Sequence, residues 1–171
     1  MQLAEIMQQL EAWGSEQTKK TLMRHGAREP LFGVKVGDLK KIEKKVKKNH
    51  QLAMQLYDTG NADAMYLAGL IADEKQMSKA DLQKWVENAD WHMIGEYAVA
   101  GVAAESPHGR ELAREWIRSP KEHVATTGWA TLCGLLAIKD DAELDLTEIE
   151  GWLDEIGEHI HDAPNRVPYP M

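Results

Sequence analysis

Apolar residues recur every three or four positions along most of this chain, and nowhere do they alternate with polar ones over a strand's length. Between Val36 and His50, Leu39, Ile42 and Val46 fall on one side of a helix of about 3.6 residues per turn. Lys40, Lys41, Lys44, Lys45, Lys47 and Lys48 spread over the other side, so the spacing predicts an amphipathic helix with a lysine face. Ser78 with Asp81, Ser106 before Pro107, and Ser119-Pro120 with Glu122 predict three helix starts, the last of them with a capping box. The stretch from Arg28 to Gly37 is interrupted by Pro30, Gly33 and Gly37 and reads as an ordered loop.

An internal repeat organises the rest. Leu67-Ala-Gly-Leu-Ile-Ala72, Val99-Ala-Gly-Val-Ala-Ala104 and Leu132-Cys-Gly-Leu-Leu-Ala137 share one pattern, with Gly69, Gly101 and Gly134 spaced 32 and 33 residues apart. Each is followed by a tryptophan preceding an apolar residue: Trp85-Val86, Trp116-Ile117 and Trp152-Leu153. A unit is therefore an apolar helix followed by an amphipathic helix carrying a packing tryptophan. Glycine inside a helix costs about 1 kcal/mol against alanine, so its recurrence predicts close backbone approach at these three positions. Units that cannot bury their apolar helix alone must stack, which predicts an all-α superhelix, an α-solenoid of the HEAT or armadillo kind. The organisation expected is one domain over 1–171: basic N-terminal helices and loop (1–60), three helix pairs (61–160) and an irregular tail (161–171).

Composition fits a single folded domain, with 171 residues, 43% hydrophobic, 28% charged and a net charge of −8. No apolar run is long enough to span a bilayer and the N-terminus lacks the pattern of a signal peptide, so a soluble cytoplasmic protein without membrane contact is expected. The lone cysteine, Cys133, lies in an apolar run and is expected to be a buried small hydrophobe. The acidic total argues against nucleic acid only until it is divided: residues 1–50 carry +5 and residues 51–171 carry −13.

Phe32-Gly-Val-Lys-Val-Gly-Asp-Leu-Lys-Lys, its continuation through Leu52 to Gly60 and Tyr66 to Asp73, and the later Ala89-Asp-Trp91 carry a family resemblance. The chain, from about Leu31 onward, resembles the DNA alkylation repair family of AlkD-type alkylpurine DNA glycosylases, built from HEAT-like repeats. The resemblance implies a concave basic surface that holds duplex DNA, alkylated or not, by a chain acting as a monomer without metal or organic cofactor. It also implies a cleft in which a Trp, an Asp four residues later and an Arg of the next repeat stabilise positive charge developing on the sugar. Trp91 matches the aromatic, but Gly95 stands where the Asp belongs and Ala125-Thr-Thr127 where the Arg belongs. Glu96 is the candidate substitute, one position further round the helix, with pairing to His92 as its structural alternative. Members of the family usually continue beyond the start of a repeat like that at His159–Val167, so Met171 ends either a short form or a truncated chain.

Glu155 with His159 has helical metal-ligand spacing, but neither a Cys pair nor an HExxH pattern supports it. The lysine face, Lys40, Lys41, Lys44, Lys45, Lys47 and Lys48 extended by Lys35, reads equally as a solvated surface or a phosphate-binding one. Three functions stay open: a DNA-binding relative of the glycosylases with little or no catalysis, an active glycosylase using Trp91 and Glu96, and a scaffold for a protein partner.

Overall fold

The computed structural model describes residues 1–171, and every regular element in it is helical. The α-helices are α1 (Leu3–Trp13), α2 (Glu16–Arg24), α3 (Val36–Val46), α4 (His50–Tyr57), α5 (Ala62–Ile71), α6 (Lys79–Asn88), α7 (Ala100–Glu105), α8 (Gly109–Trp116), α9 (Glu122–Ile138) and α10 (Leu146–His159). A π-helical segment, Met93–Val99, leads directly into α7. The protein is thus the all-α stack that its repeats predict.

Two rows of helices make up the stack, and different forces hold them. In one row α3, α5, the π segment with α7, and α9 pack in series. This row is apolar and close-packed: a Cβ on Gly69 would lie 2.6 Å from the Cβ of Ala98, and one on Gly134 would lie 2.8 Å from that of Ala104. Gly101 departs from the expected close approach, being exposed; Ala98 and Ala104 of the middle helix make those contacts instead. In the second row, ion pairs link neighbours: Lys84 with Asp58 (2.6 Å), Lys79 with Glu111 (2.6 Å) and Glu115 (3.1 Å), Arg110 and Arg114 with Glu148, and Arg118 with Glu155.

The tightest partners are α4 with α5 and α8 with α9, while α6 makes smaller contacts with the π segment and α9. In the α8–α9 pair the amphipathic helix packs more closely on the apolar helix that follows it than on the one before. Trp85 and Trp116 are buried packing residues, and Trp152 is partly buried. Tyr57 stacks on Trp85 with ring centroids 4.1 Å apart, and its hydroxyl donates to the Trp85 carbonyl (2.7 Å).

Local chemistry corrects several boundaries. Ser78 and Asp81 form the expected capping box. Ser119 does not: its hydroxyl accepts from the Lys121 N–H (3.2 Å), closing a turn, and α9 starts at Glu122 with Lys121 at its N-cap. The hydroxyl of Ser106 donates back to the Ala103 carbonyl (2.7 Å) and accepts from the His108 N–H (3.2 Å), which delays α8 to Gly109. The lysine-faced helix stops at Val46, because Lys47 turns to φ 59° and Asn49 caps a separate α4. Cys133, expected inside, is exposed, with its thiol donating to the Pro170 carbonyl (3.3 Å); its face of α9 meets the tail rather than the core.

The loop before α3 is held by a residue that the sequence did not single out. The buried carboxylate of Asp63, in the first turn of α5, accepts the backbone N–H groups of Phe32 (2.6 Å), Gly33 (3.0 Å) and Val34 (2.9 Å). Three donors on one buried anion offset its desolvation and fix the approach of α3 to α5. Gly33, at φ 80°, lets the chain pass the backbone of Lys19, where a Cβ would come within 2.5 Å of its nitrogen.

Candidate functional site

A cleft of about 510 Å³ opens between the loop at Gly26–Arg28, the start of the π segment, the first turn of α9 and the C-terminal tail. Trp91 stands at its base, only 6% exposed. The indole N–H donates to the His25 carbonyl (2.9 Å) at the end of α2, and the ring edge packs on Gly26, whose φ of 93° turns the chain around it. Trp91 is thereby a wedge between α2 and the repeat stack, with little of its face open to the cleft.

The chain leaves Trp91 in an α turn, the Trp91 carbonyl accepting from the N–H groups of Ile94 (2.8 Å) and Gly95 (3.1 Å), and the Ala100 N–H donates to the Gly95 carbonyl at the end of the π segment. Glu96 stands in the cleft wall. Gly95, four after Trp91, instead faces α9, where a Cβ would meet the Thr127 hydroxyl at 2.4 Å. A carboxylate cannot occupy position 95 against this Thr127.

Glu96 does not pair with His92. Both of its oxygens accept from Arg166 in the tail, Oε1 from Nε (2.8 Å) and Oε2 from Nη2 (3.0 Å). The glutamate side chain is 10% exposed, and its bond raises the Arg166 guanidinium above the usual arginine range. A second anchor fixes the same residue, since the Arg166 N–H donates to Glu122 Oε1 (3.0 Å). His92 is held below the usual histidine value, first by burial and then by the nearby Arg166 charge. The carboxylate–guanidinium pair missing at positions 95 and 125–127 is thus present one residue on, completed from a part of the chain far from the expected repeat. Sequence reasoning missed Arg166, although it is the sole Lys or Arg after Lys139.

Away from the cleft, Lys35, Lys40, Lys41, Lys44, Lys45, Lys47 and Lys48 are all exposed along α3 and its two caps, over the buried Leu39 and Ile42. Lys41 pairs with Asp38 (2.7 Å) and Lys48 with Glu74 (3.0 Å), while the other five have no ion-pair partner. Glu155 is taken by Arg118 rather than by His159.

The fold and cleft together define a helical-repeat protein of the HEAT-like kind, with a Trp–Glu–Arg cluster at the mouth between repeats. Residues 6–168 match the family described as DNA alkylation repair enzyme, and the chain belongs to that family. Two uncharacterised proteins, of Listeria innocua and Listeria monocytogenes, are each 28% identical over 169 residues, covering 95% of this chain and 72% of theirs. A solved structure is 41% identical with a TM-score of 0.94, covering 99% of this chain and 72% of that one; it was reported as a new family of proteins related to the HEAT-like repeat DNA glycosylases, with affinity for branched DNA structures.

No helix is long and apolar enough to cross a membrane.

Proposed function

We propose that this protein binds DNA through the lysine face of α3 and does not excise bases. The observation that carries the binding is the set of five exposed lysines, Lys35, Lys40, Lys44, Lys45 and Lys47, without a carboxylate partner on an otherwise acidic protein. Such a face attracts phosphate and releases condensed counterions without reading sequence. The solved relative with affinity for branched DNA supports this reading and makes a branched duplex the first ligand to try.

The cleft argues against excision. A carboxylate that is to stabilise a sugar cation must be free to face it, and Glu96 is neutralised by a bidentate guanidinium. Trp91 is buried against His25 and Gly26, so its ring cannot stack on a lesion without a rearrangement of α2. The second reading, a glycosylase in which Glu96 acts with Trp91, requires Arg166 to leave. A protein-scaffold role gains no specific support from the geometry.

The test is DNA binding across a salt series, using a duplex and a four-way junction of the same sequence. Binding is expected to weaken steeply with salt. Reversing Lys40, Lys44 and Lys47 to Glu should flatten the slope of log K against log salt by about 0.9 for each phosphate no longer neutralised. Unchanged affinity and slope in that variant would remove α3 as the DNA face.

A further inference from the structure

Only two aromatic side chains of the protein stand more than half exposed, Tyr97 at 60% and Tyr169 at 74%. They come from segments far apart in sequence, the π segment and the tail, and Arg166 links the two: it pairs with Glu96, the residue before Tyr97, and stands three residues before Tyr169. The Arg166 guanidinium lies over the Tyr169 ring, 4.4 Å from its centroid. Exposed tyrosines normally turn their rings against a neighbouring surface, because open aromatic area remains in unfavourable contact with water.

We infer that Tyr97 and Tyr169, set around Arg166, form a stacking platform for unpaired nucleobases. The proposal rests on the DNA-binding reading and assigns to a second surface what the lysines cannot provide. A lysine face holds phosphates and treats every duplex alike. Flat aromatic faces beside a guanidinium bind the face of any base, which a closed duplex hides and a branch point or bulge exposes. Arg166 is suited to the task because Glu96 and Glu122 already fix its position, so a base meets a guanidinium plane whose orientation costs little to hold.

The experiment compares the intact protein with Tyr97→Ala, Tyr169→Ala and the corresponding Phe variants. The probes are a plain duplex and the same duplex carrying a four-nucleotide bulge that contains 2-aminopurine. The expected result is a loss of about tenfold in affinity for the bulged probe with each alanine variant. Duplex affinity should stay within about twofold, the Phe variants should match the parent, and the 2-aminopurine emission quenched by the parent should remain bright with Tyr97→Ala. Equal affinity of parent and alanine variants for the bulge, or parallel loss on both probes, would overturn the platform while leaving the lysine face standing. Failure of the parent to bind either probe at low salt would overturn the DNA-binding reading and the platform with it. Both side chains are exposed enough that alanine should leave the fold intact, which matching thermal unfolding would verify.

Discussion

Residues 1–50 and residues 51–171 use their cations in opposite ways. The first part has eleven, of which four, Lys19, Arg28, Lys41 and Lys48, sit on a carboxylate. The second has nine, of which seven sit on carboxylates, including all four arginines beyond residue 100. Positive charge in the second part is structural: it ties α6 to α4 and α8, α8 to α10, and the tail to the cleft. In the first part it is mostly unspent, and order there comes instead from a buried anion, Asp63, that gathers the loop before α3. Whether a cation is available to an outside partner is thus decided by its neighbours and not by the charge count.

Four changes would break or refine that contrast, and their effects on stability should fall in the order given. Asp63→Asn removes one acceptor oxygen and the charge from a site where three backbone N–H groups converge. It should cost about 2–3 kcal/mol in chemical denaturation, since buried donors are left unpaired; a loss below about 0.5 kcal/mol would show that the loop holds itself. Arg110→Ala with Arg114→Ala strips both cations from Glu148, which is largely covered. About 1 kcal/mol is expected for these half-exposed partners, with melting of α10 seen first by hydrogen exchange.

The same glutamate gives a pH signature. The hydrogen bond from Arg114, and then that from Arg110, hold the Glu148 carboxyl below the usual glutamate value of 4.5. Its folded pKa is depressed, so its contribution is fully present above that usual value and is lost as pH falls through the lower folded value. Unfolding followed from pH 7 to pH 3 should therefore show a smaller acid loss in Glu148→Gln than in the parent; identical pH profiles would deny these pairs a structural role. The smallest effect belongs to the lysine face. Lys40→Ala with Lys44→Ala should alter stability by less than about 0.5 kcal/mol, as surface changes away from any partner do, although DNA affinity falls.

The helix period and the apolar face of α3 were legible in the sequence because each depends on residues three or four apart within one element, and the repeat because one short motif recurs 32 and 33 residues on. What the sequence concealed depends on register or on distance. A side chain at position 95 would meet Thr127 of α9 whereas Glu96 lines the cleft, and no local pattern around Met93–Val99 announces that difference. Arg166 reaches Glu96 across seventy residues, so the cation stands far from the next repeat, near Ala125 to Thr127, where spacing alone would place it. Ser119 and Ser106 had the composition of helix starts, but their hydroxyls close turns with nearby backbone instead. Cys133 followed the apolar run of its helix, whereas the tail and not the core packs on that face.

The contrast between free and paired charge comes to its functional point at Glu96, the cleft carboxylate whose two oxygens are both held by the Arg166 guanidinium. The decisive assay is release of 7-methylguanine and 3-methyladenine from alkylated duplex DNA under conditions where the protein is bound. With Arg166 holding Glu96, no release above the spontaneous rate is expected, for the parent and for Glu96→Gln alike. Release by the parent that disappears in Glu96→Gln would overturn the closed-cleft reading and make the cleft an active site.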